Sequence, residues 1–322
     1  MRVLLIVLFF VGICSGAVAQ TTPTERIGPF SVHETEQPNG VSVKYYLSET
    51  NEVRPLVVFI QGSGCTPVFR HESEGRNIIT IFGAWDLAIN GRANVLLIEK
   101  PHAGEDANSQ AGSAQHCSSE FNSYFTAENW ENAISHAMRE VRTSPKVDKE
   151  KTLIIGTSEG AVIAAMLARD NPFVSEIALI GASGTTQIFD FFANSYQAIG
   201  TDSARIEEIE QFQTTLSAIT SDPDSSVKFA WGHPYKRWTS FFHIELDEIL
   251  PRVNARIYFL IGMQDRNVPA LSTEVAIAKL LLAEHSIFVR RLPDAGHMML
   301  RQNQNFDDLQ SEYDRIFNWF LL

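Results

Sequence analysis

Cysteine is scarce in this chain, three in 322 residues, and neither a Cys-x-x-Cys pair nor a helical His-x-x-x-His occurs. That removes the common signatures of a bound metal. Basic residues are also in deficit: 26 Lys and Arg stand against 38 Asp and Glu, a net charge of −12. Phosphate backbones require a basic face, so the composition argues against nucleic acid as a partner. Repeats, low-complexity tracts and long blocks of like charge are missing too, which leaves no sign of a solenoid or an interaction tail.

Long apolar runs are confined to the start. "MRVLLIVLFFVGICSGAVAQ" has one basic residue, Arg2, then an apolar stretch from Val3 to Cys14, then Ala17-Val18-Ala19 in the small-x-small arrangement of a signal-peptidase site. A bilayer span needs about 20 apolar residues, and this run is shorter and ends in small and polar residues. Residues 1–19 are therefore expected to be a cleaved export signal, with a mature chain of residues 20–322 in a periplasmic or extracellular compartment and no stable membrane span. A lipid anchor on Cys14 is disfavoured by the bulky Ile13 before it. Cleavage would remove Cys14 and leave Cys65 and Cys117, which in an exported protein are expected to pair as a disulfide.

What remains is ordinary globular material, 44% hydrophobic and 20% charged, sufficient for one large core. Apolar, β-branched runs alternate with helical patterns, as strands crossed by helices in a mostly parallel sheet do. Strands are expected at Val41–Glu49, Pro55–Gly62, Ala93–Lys100, Lys151–Gly156, Glu176–Ser183, Ala255–Gly262 and Ser286–Leu292, with a weaker one near Gly28–Thr35. Their continuous apolarity implies a sheet covered by helices on both faces. The clearest helix spans Thr126–Arg142, where Thr126 can cap and Trp130, Ala133, Ile134, Ala137, Met138 and Val141 recur at helical spacing. Others are expected at Ala161–Arg169, Ser272–Ala283 and about Phe306–Phe320. The rhythm breaks between about residues 184 and 253, a helical and loop segment rich in aromatics, which reads as a lid inserted between core strands.

"LIIGTSEGAV", Leu153 to Val162, interrupts a strand and a helix with a polar tripeptide too short for a loop. A turn that sharp has no room for Cβ atoms at Gly156 and Gly160, and it lifts the Ser158 hydroxyl above the sheet. This is the G-x-S-x-G pattern of a nucleophile elbow; the plainer role for Ser158 is a helix N-cap. Two loops follow in order. Asp265 in "LIGMQDRNVP" and His297 in "LPDAGHMM" each lie just beyond a buried strand, giving the chain order Ser, Asp, His. Asp294 is a rival acid, but three residues from His297 on the same loop it is poorly placed to orient the ring.

In these motifs the chain resembles the α/β-hydrolase superfamily from about Val41 to its end, nearest to secreted dienelactone-hydrolase-like and peptidase-like members. The resemblance implies a serine hydrolase with Ser158 as nucleophile, His297 as base and then acid, and Asp265 holding the imidazole tautomer. Where the family carries a His-Gly motif, "FIQGSGC" has Gln61 in place of the histidine. The oxyanion hole is then expected from the N–H of Ser63, or of Gly64, and that of Glu159, whose side chain is expected to be exposed. His102, His116, His233 and His243 could reach the site but read as surface or packing residues. In the aromatic cluster "AWGHPYKRWTSFF", Trp238 or Phe241 is expected to wall the substrate pocket.

Cleavage of carboxylic esters or related acyl compounds, without metal or organic cofactor, is the leading expectation. A serine peptidase or an acyltransferase would use the same chemistry. A non-catalytic binding module is the alternative from another class, and it has no need of all three triad residues.

Overall fold

The computed structural model describes residues 25–71, 77–104, 112–197, 200–301 and 305–322; the expected signal segment 1–19 lies outside the described residues. The described residues open with three strands, β1 (Glu25–Ile27), β2 (Phe30–Glu36) and β3 (Ser42–Ser48), followed by β4 (Arg54–Ile60). A small hairpin, β5 (Phe69–His71) and β6 (Asn77–Ile79), leads to α1 (Ala84–Asn90) and β7 (Asn94–Ile98). Then come α2 (Ser119–Tyr124), α3 (Ala127–Val141), β8 (Val147–Thr157), α4 (Glu159–Asp170) and β9 (Glu176–Ile180).

Past β9 the alternation stops, as the composition suggested. Two helices, α5 (Gln187–Gln197) and α6 (Asp202–Ser221), precede a short hairpin of β10 (Phe229–Ala230) and β11 (His233–Pro234), then α7 (Tyr235–Phe242), α8 (Leu246–Ile249) and a 3-10 turn at Leu250–Arg252. The chain re-enters the sheet at β12 (Arg256–Gly262) and closes with α9 (Ala270–Leu282), β13 (Ile287–Leu292) and α10 (Phe306–Leu321).

Among the described residues, nine strands form one sheet in the order β1-β2-β3-β7-β4-β8-β9-β12-β13. The pairs from β7 to β13 are parallel, while β1, β2 and β3 join antiparallel at one edge. The apolar strands are buried on both sides. Along β4, Leu56, Val58 and Ile60 face a core shared with Trp130, Ile134 and Met138 of α3, Ile163 and Leu167 of α4, and Ile277 and Leu280 of α9. Val57 and Phe59 face the opposite core, with Leu87 of α1 and Ile316, Phe317 and Phe320 of α10. Period-2 alternation therefore serves two hydrophobic layers, which is why these strands read as unbroken apolar runs.

Thr126 caps α3 as expected, its hydroxyl accepting from the Asn129 N–H at 3.2 Å. β8 begins four residues before the expected Lys151, at Val147, where its polar first half pairs only at the sheet's end. The weak strand near Gly28 proves to be the β1–β2 edge. Helix α6 buries only Phe212 and Ile219 of its twenty residues, so it is a largely solvated helix held by a few aromatic contacts. The second half of the segment between β9 and β12 differs: Phe241, Leu246 and Leu250 are fully buried in the same core as α3 and α4. No helix among the described residues is long and apolar enough to cross a membrane.

Candidate active site

Ser158 sits between β8 and α4 with φ 56° and ψ −120°, a region where a non-glycine residue stores roughly 1–3 kcal/mol of strain. The strain is imposed from both flanks. A Cβ on Gly156 would lie 2.3 Å from the Gly160 carbonyl oxygen, and one on Gly160 would lie 2.4 Å from that of Ile60. The Ser158 N–H donates to the Ile180 carbonyl at 2.8 Å, fixing the turn to the end of β9. Although Ser158 stands where an N-cap would, its side chain makes no capping hydrogen bond. The hydroxyl is thus left available.

The acid and histidine loops are built against each other. A Cβ on Gly262, the last residue of β12, would meet the Gly296 carbonyl oxygen at 2.4 Å, so the two loops approach at backbone contact. Gln264 N–H donates to Ala295 O at 2.9 Å across that contact. Asp265, only 5% exposed, accepts from the N–H groups of Asn267 and Val268 on Oδ1, at 2.8 and 2.9 Å. Its Oδ2 lies 2.8 Å from His297 Nδ1. The His297 ring packs over Gly181, where an added Cβ would sit 3.4 Å from Nδ1 and Cε1. Ser158 and His297 therefore both contact the Ile180–Gly181 turn that ends β9. Asp294, by contrast, is exposed in a left-handed turn with φ 63°.

The glycine-rich loop after β4 closes the third side. An ideal Cβ on Gly62 would be 3.5 Å from the Ser158 Cβ, so Ser63 and Gly64 follow directly from a residue against Ser158. Gly64 has φ 87°, and a Cβ there would meet Ser113 O at 3.0 Å. Cys65 is joined to Cys117 by a disulfide with a Cα–Cα distance of 5.9 Å. Gln61, standing where the resemblance placed a histidine, donates to Thr80 Oγ1 at 3.2 Å, and Thr80 in turn donates to the Pro67 carbonyl at 2.6 Å.

Two side chains lie elsewhere than the sequence suggests. Glu159 is 3% exposed rather than solvated: its carboxylate takes a double hydrogen bond from Arg237, at 2.9 Å from Nε and with a second contact from Nη2, and lies 3.6 Å from Lys100 Nζ. Phe241 does not wall an open pocket, because it is wholly buried, with the Arg237 guanidinium 4.3 Å from its ring centroid and Phe125 stacked nearby. Trp238 is 6% exposed and belongs to an aromatic cluster with Phe191, Trp231 and Phe242, its Nε1 donating to the Ala230 carbonyl. Hydrophobic periodicity cannot separate a pocket wall from a core, and here the core prevailed.

The Lys100, Glu159 and Arg237 cluster had no signal in the sequence. All three side chains are nearly inaccessible, at 0%, 2% and 4% exposure. Burial alone would raise the Glu159 carboxyl, but the charges of Arg237 and Lys100 outweigh it and hold the group below its ordinary value. Burial pulls the Lys100 ammonium down to about 8, with Glu159 opposing, so it remains protonated at neutral pH. Removing one member of such a group strands the others and typically costs about 3–5 kcal/mol.

Of the four histidines in segments that could reach the site, His102, His116 and His243 are exposed. His233 is buried, its Nε2 is 3.0 Å from Gly112 O, and burial drops its pKa to about 4, so it is a neutral packing residue. Among the described residues no group of three or more His, Cys, Asp or Glu side chains could hold a metal ion.

The model of the BAAT/acyl-CoA thioester hydrolase C-terminal family matches residues 128–301, more than half of the chain. The chain belongs to this family. The stretch shared with the BAAT/acyl-CoA thioester hydrolase C-terminal family runs from α3 to the histidine loop and contains Ser158, Asp265 and His297, whereas the Gly62–Cys65 loop and Lys100 precede it. No curated protein sequence matches the chain.

Solved structures similar to this family member include a putative dipeptidyl aminopeptidase IV from Bacteroides ovatus ATCC 8483, with a TM-score of 0.60 and 12% identity over 90% of this chain and 35% of that one. The acylaminoacyl peptidase of Pyrococcus horikoshii is similar at a TM-score of 0.61 and 10% identity, over 91% of this chain and 41% of the peptidase. This chain thus spans well under half the length of either peptidase. Est1E from Butyrivibrio proteoclasticus is matched over 98% of its length and 90% of this chain, with a TM-score of 0.54 and 12% identity. At such identities the likeness is one of fold, and the fold is that of the α/β-hydrolases.

Proposed function

We propose that the chain is a serine hydrolase that cleaves carboxylic esters or related acyl compounds, thioesters included, through an acyl-enzyme. The observation that carries this reading is the Asp265 Oδ2 to His297 Nδ1 contact of 2.8 Å beside a strained, uncapped Ser158. In the reaction, the Ser158 hydroxyl attacks the acyl carbon while His297 Nε2 takes its proton, and Asp265 accepts from Nδ1–H and stabilises the imidazolium. Charge developing on the carbonyl oxygen is met by the N–H of Glu159, at the start of α4, and by that of Ser63 or Gly64. His297 then protonates the leaving group, and water, activated by the same imidazole, releases the acid.

The segment between β9 and β12 serves as a lid in this reading. Support comes from its place in the chain, immediately before the strand that carries Asp265, and from α7, whose Arg237 reaches the residue next to the nucleophile. The substrate is a small acyl compound, with no nucleic-acid partner and no cofactor. Export follows from the signal segment proposed at residues 1–19, and N-terminal sequencing of the secreted protein tests it.

Labelling with a fluorophosphonate probe tests the chemistry. Modification of Ser158, mapped by peptide mass spectrometry, is expected, and an unlabelled Ser158 in folded protein rejects the assignment. Parallel panels of aryl esters, acyl thioesters and aminoacyl amides, with and without amine acceptors, then separate esterase or thioesterase from peptidase and acyltransferase.

A further inference from the structure

Lys100 lies just past β7, outside the stretch that matches the family, and no step above uses it. Its ammonium donates to two backbone carbonyls of the loop beside Ser158, Gly62 O at 2.5 Å and Gly64 O at 2.8 Å. The Gly62 carbonyl belongs to the same peptide unit as the Ser63 N–H. The unit between the two anchored carbonyls carries the Gly64 N–H. Both candidate donors of the loop are thus set by one buried cation. The same ammonium lies 3.6 Å from the carboxylate of Glu159, whose backbone N–H is the other oxyanion donor, and Arg237 holds that carboxylate from the far side.

We propose that Lys100 is a positioning residue for the oxyanion hole, fixing the orientation of the Gly62–Gly64 peptide units and tying them, through Glu159, to the nucleophile elbow and to Arg237 of α7. Two physical effects follow. A carbonyl that accepts from an ammonium is polarised, and the N–H of its own peptide unit becomes a stronger donor, as in any chain of hydrogen bonds in a low-dielectric setting. Donors fixed before the reaction also need no reorganisation as the oxyanion forms. Lys100 has no access to substrate, since its side chain is 0% exposed and packed 4.8 Å above the Phe125 ring.

The inference rests on the proposed serine-hydrolase reading, and the test keeps the two apart. Lys100→Met and Lys100→Gln are compared with wild type for the second-order rate of fluorophosphonate labelling at Ser158 and for kcat and KM on p-nitrophenyl acetate. The phosphonyl oxygen occupies the oxyanion hole, so labelling reports on the hole without knowledge of the natural substrate. Folded Lys100→Met is expected to be slowed about 10- to 100-fold in both labelling and kcat, with KM within about threefold. Lys100→Gln, which keeps a donor to the carbonyls, is expected to fall between. If Lys100→Met does not fold, the Gln variant decides. Folded variants that label and turn over within about threefold of wild type overturn the positioning role, as does a loss confined to KM. A wild-type protein that is not labelled at Ser158 rejects the serine-hydrolase reading itself.

Discussion

Asp265 Oδ2 meets His297 Nδ1 at 2.8 Å while Oδ1 accepts two backbone N–H bonds from Asn267 and Val268. The carboxylate is fixed on both oxygens before it touches the ring. Asp265→Asn would keep the packing but present an amide to Nδ1 and favour the wrong tautomer. A fall in kcat of roughly 10⁴-fold is expected, by analogy with the same change in a serine protease. Asp294→Asn, at an exposed turn, should change kcat less than about threefold. Steady-state kinetics on both variants decides, and the reverse ranking would move the acid to the histidine loop.

Ser158→Ala should abolish turnover and fluorophosphonate labelling and leave the circular dichroism spectrum and Tm near wild type. The side chain caps no helix and the elbow backbone is dictated by Gly156 and Gly160. Retained turnover in soluble Ser158→Ala protein would refute the nucleophile.

The disulfide closes a loop between positions 52 apart, which in the chain-entropy account contributes about 4 kcal/mol. For a domain of roughly 300 residues that corresponds to a Tm drop of about 6 °C in Cys65→Ser or Cys117→Ser. Thermal melts of wild type with and without reductant provide the comparison; an unchanged Tm would count against the bridge as a stabilising element.

Phe241 is buried in the main core, so Phe241→Ala should act on stability, by about 3–5 kcal/mol, and not on substrate preference. The ratio of kcat/KM for a bulky aryl ester to that for an acetyl ester should stay constant in the folded fraction. A selective loss on the bulky ester would return this ring to the pocket.

Burial pushes the Asp190 carboxyl up to about 7, with the nearby Ser272 and Ser183 hydroxyls opposing the rise and Asp265's charge adding to it. The native state therefore holds a proton that the unfolded chain has already released between about pH 4 and 7. That contribution to stability is fully present below pH 4 and is lost as pH rises through 7. Asp190→Asn, which cannot ionise, should match wild type near pH 4 and exceed its Tm by about 3 °C or more at pH 8. A Tm difference that does not grow between these two pH values would mean the carboxyl titrates normally.

Sequence patterns marked the sheet because parallel strands buried on both faces must be apolar at every position, as Val57 and Val58 are while facing opposite cores. The elbow is equally legible as a motif, although only the clashes that demand Gly156 arise within the turn, from Gly160 and Ala161, while those that demand Gly160 come from the carbonyls of Ile60 and Gln61. The order of Ser158, Asp265 and His297 followed from strand ends. Helix α1 and the two short hairpins leave no mark in the sequence: each is too brief to show a period, α1 packs on β7, and the hairpins form separate two-stranded sheets of their own.

Burial is not legible where charge or aromaticity stands in for environment. Glu159 looked exposed because a carboxylate next to a nucleophile ordinarily faces water; Lys100 and Arg237, 78 positions from Glu159 in the latter case, supply the opposite charge that lets it be buried. Phe241 and Trp238 looked like a wall because a cluster of rings has the same composition in a core as in a pocket. Local geometry and apolar periodicity are written in neighbouring residues, so the sequence by itself determined the α/β sheet, the serine elbow and the order of the three site residues. The pairing of Asp265 with His297 and the anchoring of the Gly62–Gly64 loop by a buried ammonium depend on groups brought together from distant positions, and only the tertiary structure decided them.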